Sequence, residues 1–105
     1  MIRLPPIKVT KGQAFAYEAT VTGQDWTGYT GEVVFKDKPQ GTELLTATVT
    51  GDAAGLMAFS LTETETEELE ALPVIGYRAT GVFQITMTGP DVKIYQGNVG
   101  VAGAV

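Results

Sequence analysis

The chain is 105 residues long, 44% hydrophobic, with a net charge of −5 and neither cysteine nor histidine. Such a length supports one domain with a single core and leaves no room for a second, so residues 1–105 read as one folded unit. The missing cysteine excludes disulfides and thiolate chemistry, and the missing histidine excludes the commonest general base and transition-metal ligand.

The N-terminal stretch "MIRLPPIKVTKG" is broken by Pro5 and Pro6 and has no apolar run of export-signal length. No segment approaches the roughly 20 apolar residues of a membrane helix, so a membrane role is not expected. "PPIKVT" reads as a first strand at a sheet edge, where proline is tolerated. From Gln13 to Thr22, "QAFAYEATVT" alternates with period two and places Phe15, Tyr17, Ala19 and Val21 on one face. "GQDWTGY" follows, a turn-rich run around Trp26, the chain's one tryptophan. It serves either as a plug closing one end of the core or, with Tyr29, as a displayed contact. Burial of so large a ring favours the plug.

Three further strands follow in order. "GEVVFKDK" turns Val33 and Phe35 inward, "ELLTATVTG" turns Leu45, Ala47 and Val49 inward, and "LMAFSL" does the same with Met57, Phe59 and Leu61. Pro39 and Gly41 supply the turn chemistry between the first two.

The rhythm then changes at "LTETETEELEALP", where Glu63, Glu65, Glu67, Glu68 and Glu70 fall within eight residues. Thr62 and Glu65 have the spacing of a capping box, and Pro73 ends the run, which predicts a short helix over about 63–71 between the fifth and sixth strands. Its glutamates read as a solvated face, with Leu69 and Leu72 capping the core. "GYRATGVFQITMTG" and "VKIYQGNVGVAG", joined by "GPD", complete a seven-stranded all-β sandwich, and this last hairpin is expected to be the longest strand pair. Tyr77, just after the helix, is the candidate for a tyrosine corner.

Catalytic signals are weak. Asp25, Asp37, Asp52 and Asp91 all stand in ordinary turn contexts, without calcium-loop spacing. Ser60 is the one serine and has no histidine to activate it. "GYTGEVV" leads into a strand and cannot cradle a phosphate at a helix N-terminus. An acidic chain without a basic stripe is a poor nucleic-acid binder. No cofactor, metal or catalytic residue is expected, and the chain reads as a non-enzyme.

Taken together, "IKVTKGQAFAYEATV", "DWTGYTGEVVFKD", "LLTATVTGDAAGLMAFSLTETETEEL" and "GYRATGVFQITMTGPDVKIYQGNVGV" resemble a small immunoglobulin-like module of virion proteins in tailed bacteriophages. The resemblance lies in the order of features: a "KG" turn before an aromatic strand, a "D-x-x-G" turn before the next, "LT-x-x-E" into a helix, then Gly-Tyr and a hairpin ending "G-x-V". It implies an immunoglobulin-like sandwich that binds other virion proteins, located in the virion after synthesis in the host cytoplasm. Because the sequence stops at Val105, a capsid decoration, connector or tail-accessory subunit is expected, partnered by another virion protein or by itself as a homo-oligomer. The C-terminal strand lacks bulk and charge after Lys93, so it is expected to be an open edge that contacts a neighbour through Val99, Val101 and Ala102. The alternative is a carbohydrate- or surface-binding module with Trp26 and Tyr29 as its aromatic platform.

Overall fold

A computed structural model describes residues 2–10, 12–36, 41, 43–67 and 79–102. Among these, eight strands and one short helix occur: β1 Ile2–Arg3, β2 Ile7–Thr10, β3 Phe15–Thr20, β4 Thr30–Lys36, β5 Glu43–Gly51, β6 Leu56–Leu61, α1 Glu63–Glu67, β7 Ala79–Thr88 and β8 Val92–Ala102. The strands follow a single path, β1-β8-β7-β4-β5-β6-β3, with β2 also on β8. This path curls into two facing layers. β4, β7 and β8 form one sheet with β5 on one flank and β1 and β2 on the other, while β3 and β6 form the second.

β5 belongs to both layers. It pairs with β4 from Glu43 to Val49, and then Thr50 and Gly51 pair with Ala58 and Met57 of β6. Strands that change partners in this way, with the β3–β6 pair facing the β4–β7–β8 sheet, give the connectivity of an immunoglobulin-like sandwich. The expected all-β fold with one short helix is therefore the one observed.

Alternation decides which side chains meet between the layers. Val33, Phe35, Phe83, Ile85, Met57 and Val99 are fully buried, each on the inward phase of its strand. Aromatic rings tie the sheets together. Tyr17 of β3 stacks on Phe59 of β6 at 5.0 Å and meets Phe83 of β7 edge-on at 5.7 Å, while Phe35 of β4 meets Phe59 edge-on at 6.0 Å. Such pairs add about 0.5–1.5 kcal/mol beyond the area they bury.

α1 begins where the sequence places it. The Thr62 N–H donates to Glu65 Oε1 at 2.9 Å and the Glu65 N–H donates to Thr62 Oγ1 at 3.1 Å, a reciprocal capping box whose loss typically costs about 1 kcal/mol. Thr66 is buried, and its hydroxyl donates to the Glu63 carbonyl and accepts from the Gly12 N–H at 3.0 Å. The helix is thereby fastened to the turn that follows β2. The rest of the helix expected over 63–71, together with Leu69, Leu72 and the Tyr77 corner, lies outside the described residues.

Two expectations about the strands need correction. The N-terminal segment is two strands and not one, because Pro5 and Pro6 have no N–H to give to a ladder; Ile2–Arg3 and Ile7–Thr10 each pair parallel with β8 on either side of them. The strand count among the described residues is thus eight. The second correction is larger. β8 is not an open edge, since β7 pairs with it on one side and β1 and β2 on the other. Its low bulk serves the domain itself: a methyl group added at Gly97 would lie 2.6 Å from the Phe83 ring and 3.2 Å from the Leu4 carbonyl.

Candidate functional site

Trp26 sits in the loop between β3 and β4 and is 1% exposed. Its backbone N–H donates to the Asp52 carbonyl at 3.0 Å, and its indole Nε1–H donates to the Gly55 carbonyl at 3.0 Å. That carbonyl also accepts from the Val21 N–H at 2.8 Å. Gly55 has a φ of +90° and no space for a side chain against the Val21 carbonyl, so glycine alone fits this joint. The indole meets Tyr29 edge-on at 5.0 Å and Tyr95 edge-on at 6.2 Å. Trp26 is a plug, and as a displayed contact or platform residue it is corrected, because the buried indole has no face to offer a ligand.

Tyr29 is half-buried beside it. Its hydroxyl donates to the Asp91 carboxylate, which also forms an ion pair with Lys93 at 3.3 Å. The bond to the Asp91 carboxylate raises the Tyr29 pKa above its ordinary value, while the Tyr29 hydroxyl, with a smaller contribution from Lys93, holds Asp91 below the usual carboxylate range. The stabilisation from Asp91 is present above its unfolded-state pKa and is lost as pH falls through the depressed folded value. That from Tyr29 is present below its unfolded-state pKa and is lost as pH rises through the raised folded value. Tyr29→Phe should therefore lower the thermal midpoint at neutral pH, with the difference from wild type shrinking in strong acid. Carboxyl NMR titration should show Asp91 moving back up in the variant. A midpoint difference that is the same in acid and at neutrality would reject the link.

The other loop aspartates serve turns. Asp25 Oδ1 accepts from the Thr27 N–H at 2.8 Å, and Asp52 Oδ1 accepts from the N–H groups of Ala54 and Leu56 at 2.9 and 3.0 Å. Asp37 lies outside the described residues. Among the described residues no group of three or more acidic side chains could hold a metal ion, and no helix is long and apolar enough to cross a membrane.

Val99 is completely buried, with Ile7 and Gly81 as its register partners on β2 and β7. As a partner contact it is corrected: its side chain belongs to the core and its strand is already paired on both sides. Val101 and Ala102 are paired through their backbones with Val9 and Thr10. The structure therefore does not bring the five expected contact residues into one surface.

It brings together another set. On the outer face of the larger sheet, Glu32 of β4 stands between Thr48 of β5 and Thr86 of β7, and Thr86 is partnered by Ile94 of β8. This face is polar and threonine-rich at β4, β5 and β7. It becomes aliphatic at β8 and β1, where Ile2, Val92 and Ile94 are 55%, 58% and 37% exposed. With Lys93 they line a shallow depression of about 490 Å³. The signal lay in the sequence: in "VKIYQGNV", once Tyr95 and Val99 face inward, Val92 and Ile94 must face out.

A second concavity, of about 630 Å³, opens where β5 parts from β6. Tyr17, Ala47 and Phe59 supply apolar surface, Ala16 and Ala58 keep the walls low, and Glu18 and Glu65 line it. The second layer, β3 and β6, together with α1 carries Glu18, Glu63, Glu65 and Glu67 and no lysine or arginine, whereas in the larger sheet Glu43 of β5 is the register partner of Lys36 of β4 and Lys93 of β8 is ion-paired with Asp91.

No family model matches the chain, and no curated protein sequence does either. Among solved structures, it is similar to the ZIG-8 IG1 homodimer, with a TM-score of 0.47 and 11% identity, over 94% of this chain and 79% of that one. It is likewise similar to Dpr1 IG1 bound to DIP-eta IG1, with a TM-score of 0.47 and 12% identity, over 91% of this chain and 87% of that one.

Proposed function

We propose that this chain is a non-enzymatic structural subunit of a bacteriophage virion, a capsid decoration, connector or tail-accessory protein that docks on other virion proteins. The observation that carries the docking part is the aliphatic patch of Ile2, Val92 and Ile94. These three branched side chains are exposed together on β1 and β8, while the bulk of the described large apolar side chains pack inside. Contiguous exposed apolar surface is uncommon on a small monomer and marks a contact with another macromolecule. The order of sequence features shared with tailed-phage modules supplies the virion context. Standing contacts of this size suffice where many copies repeat on one particle.

Burial of Trp26 leaves the carbohydrate-platform alternative without its principal ring, so the protein-docking reading is preferred. The test is compositional. Particles purified by density gradient from the phage that encodes the chain should contain it in a fixed ratio to the major capsid or tail protein by mass spectrometry. Intact particles lacking it, with the chain wholly in the soluble fraction of the lysate, would reject the virion role.

A further inference from the structure

β3 ends the sheet path: it pairs with β6 on one side, and among the described residues no strand pairs with it on the other. The hydrogen bonds identify which of its backbone groups are left over. The Val21 N–H donates to the Gly55 carbonyl, one step beyond the Thr20–Leu56 pair. Because bonded and unbonded pairs alternate along an antiparallel ladder, Phe15, Tyr17 and Ala19 direct their N–H and C=O groups to β6. The bond from the Asp52 N–H to the Leu56 carbonyl gives the same phase from the other flank of β6. Ala16, Glu18 and Thr20 therefore direct theirs away from the fold.

The side chains repeat this pattern. Phe15, Tyr17 and Ala19 pack against the core yet stay half-buried, whereas their register partners on β6, Leu61, Phe59 and Met57, are buried. A strand beyond β3 would cover the flank they leave. At the other end of the path the edge is guarded: β1 and β2 are short, Pro5 and Pro6 separate them, and they carry Arg3 and Lys8, all devices that discourage a further strand. β3 has six residues in regular register with no proline, lysine or bulge.

We propose that β3 accepts an extended segment of another protein as an added strand, apolar in the phase that meets Phe15, Tyr17 and Ala19 and basic in the phase that meets Ala16, Glu18 and Thr20. Main-chain pairing supplies the affinity and side-chain alternation the selectivity. Charge chooses the occupant. Glu18 is exposed in the outward phase and makes no ion pair among the described residues, and β3, β6 and α1 carry no lysine or arginine. Basic cross-strand neighbours gain from this, whereas a second copy of β3 would set another Glu18 and another acidic layer on the same face. The proposal goes beyond the docking reading, which rests on the patch of β1 and β8, and does not depend on it.

Amide hydrogen exchange followed by NMR on the full chain tests the edge first. The N–H groups of Ala16, Glu18 and Thr20 should exchange fast in the isolated protein, and those of Tyr17 and Ala19 slowly. The probe for the added strand is a blocked hexapeptide alternating valine and lysine, titrated at low salt. It should slow exchange at Ala16, Glu18 and Thr20 and shift those amide signals, and added salt should weaken it. The same peptide with glutamate in place of lysine should bind at least about tenfold more weakly, since like charges across a strand pair repel. A version N-methylated throughout its backbone should not bind, having lost the donors of the new ladder. Glu18→Lys, a change at an exposed position, should weaken the lysine peptide by about two- to fivefold and strengthen the glutamate one. Val92→Thr, on the aliphatic patch, should bind as the wild type does.

Slow exchange at Ala16, Glu18 and Thr20 in the dilute isolated protein would mean that the edge is already covered and would overturn the proposal. Equal binding of the lysine and glutamate peptides, no response at millimolar peptide, or shifts confined to other strands would overturn it as well. Protection of those amides that grows with protein concentration in the absence of peptide would place a second copy on the edge and overturn the choice of partner. None of these results bears on particle composition, so the virion reading stands or falls separately.

Discussion

Trp26→Ala is expected to lower the unfolding free energy by about 3–5 kcal/mol, as large-to-small changes at aromatic core sites do. Three losses coincide at this residue. A fully buried indole leaves a cavity, the edge-on contacts with Tyr29 and Tyr95 disappear, and the Gly55 carbonyl keeps only the Val21 N–H as a partner. Against a typical total of about 5–15 kcal/mol for a small domain, this brings the fold close to its limit. Trp26→Phe separates the contributions, since it retains most of the apolar surface and removes the indole N–H. It should cost less, with the hydrogen bond itself contributing about 0.5–1.5 kcal/mol. Urea unfolding followed by far-ultraviolet circular dichroism measures both, and intrinsic fluorescence of the wild type should be blue-shifted and shielded from iodide. Wild-type stability in Trp26→Ala, or free quencher access in the native protein, would return Trp26 to the surface.

Val99→Asp is the second large effect. Val99 is fully buried on β8, between β2 and β7, so an aspartate there is an unpaired charge inside the core, with an expected cost of about 3–5 kcal/mol. The matched substitution Val92→Asp lies on the same strand at 58% exposure and should change stability by no more than about 0.5 kcal/mol. The pair distinguishes a core strand from a docking strand. If Val99→Asp folded as stably as the wild type and lost only its ability to assemble, β8 would be a free edge after all, and its parallel pairing with β1 and β2 would be wrong.

What the sequence by itself determined is the part governed by short-range periodicity. Alternation identified the inward faces of β3 through β7, because side chains on a strand must point to opposite sides whatever the strand pairs with. β5 and β6 begin and end where turn residues and alternation predict. Thr62 and Glu65 located the start of α1, since a capping box closes within four residues. The turn roles of Asp25 and Asp52 were readable for the same reason: each carboxylate bonds an N–H only two to four residues away.

Only the tertiary structure decided which strand edges remain open and which residues, distant in sequence, share a surface. Small, uncharged residues along β8 look alike whether the strand faces solvent or lies between two others. The distinction rests on Ile7–Thr10 returning across more than 80 residues of chain to pair with Val99–Ala102. The partnership of Tyr29 with Asp91 spans 62 positions, and that of Gly12 with Thr66 spans 54. No local pattern encodes these contacts, because they follow from how the sheets curl over one another. The aliphatic patch is an intermediate case: the phase of β8 already turns Val92 and Ile94 outward, but only the pairing of β1 with the β8 edge brings Ile2 near them, and a docking surface needs all three together.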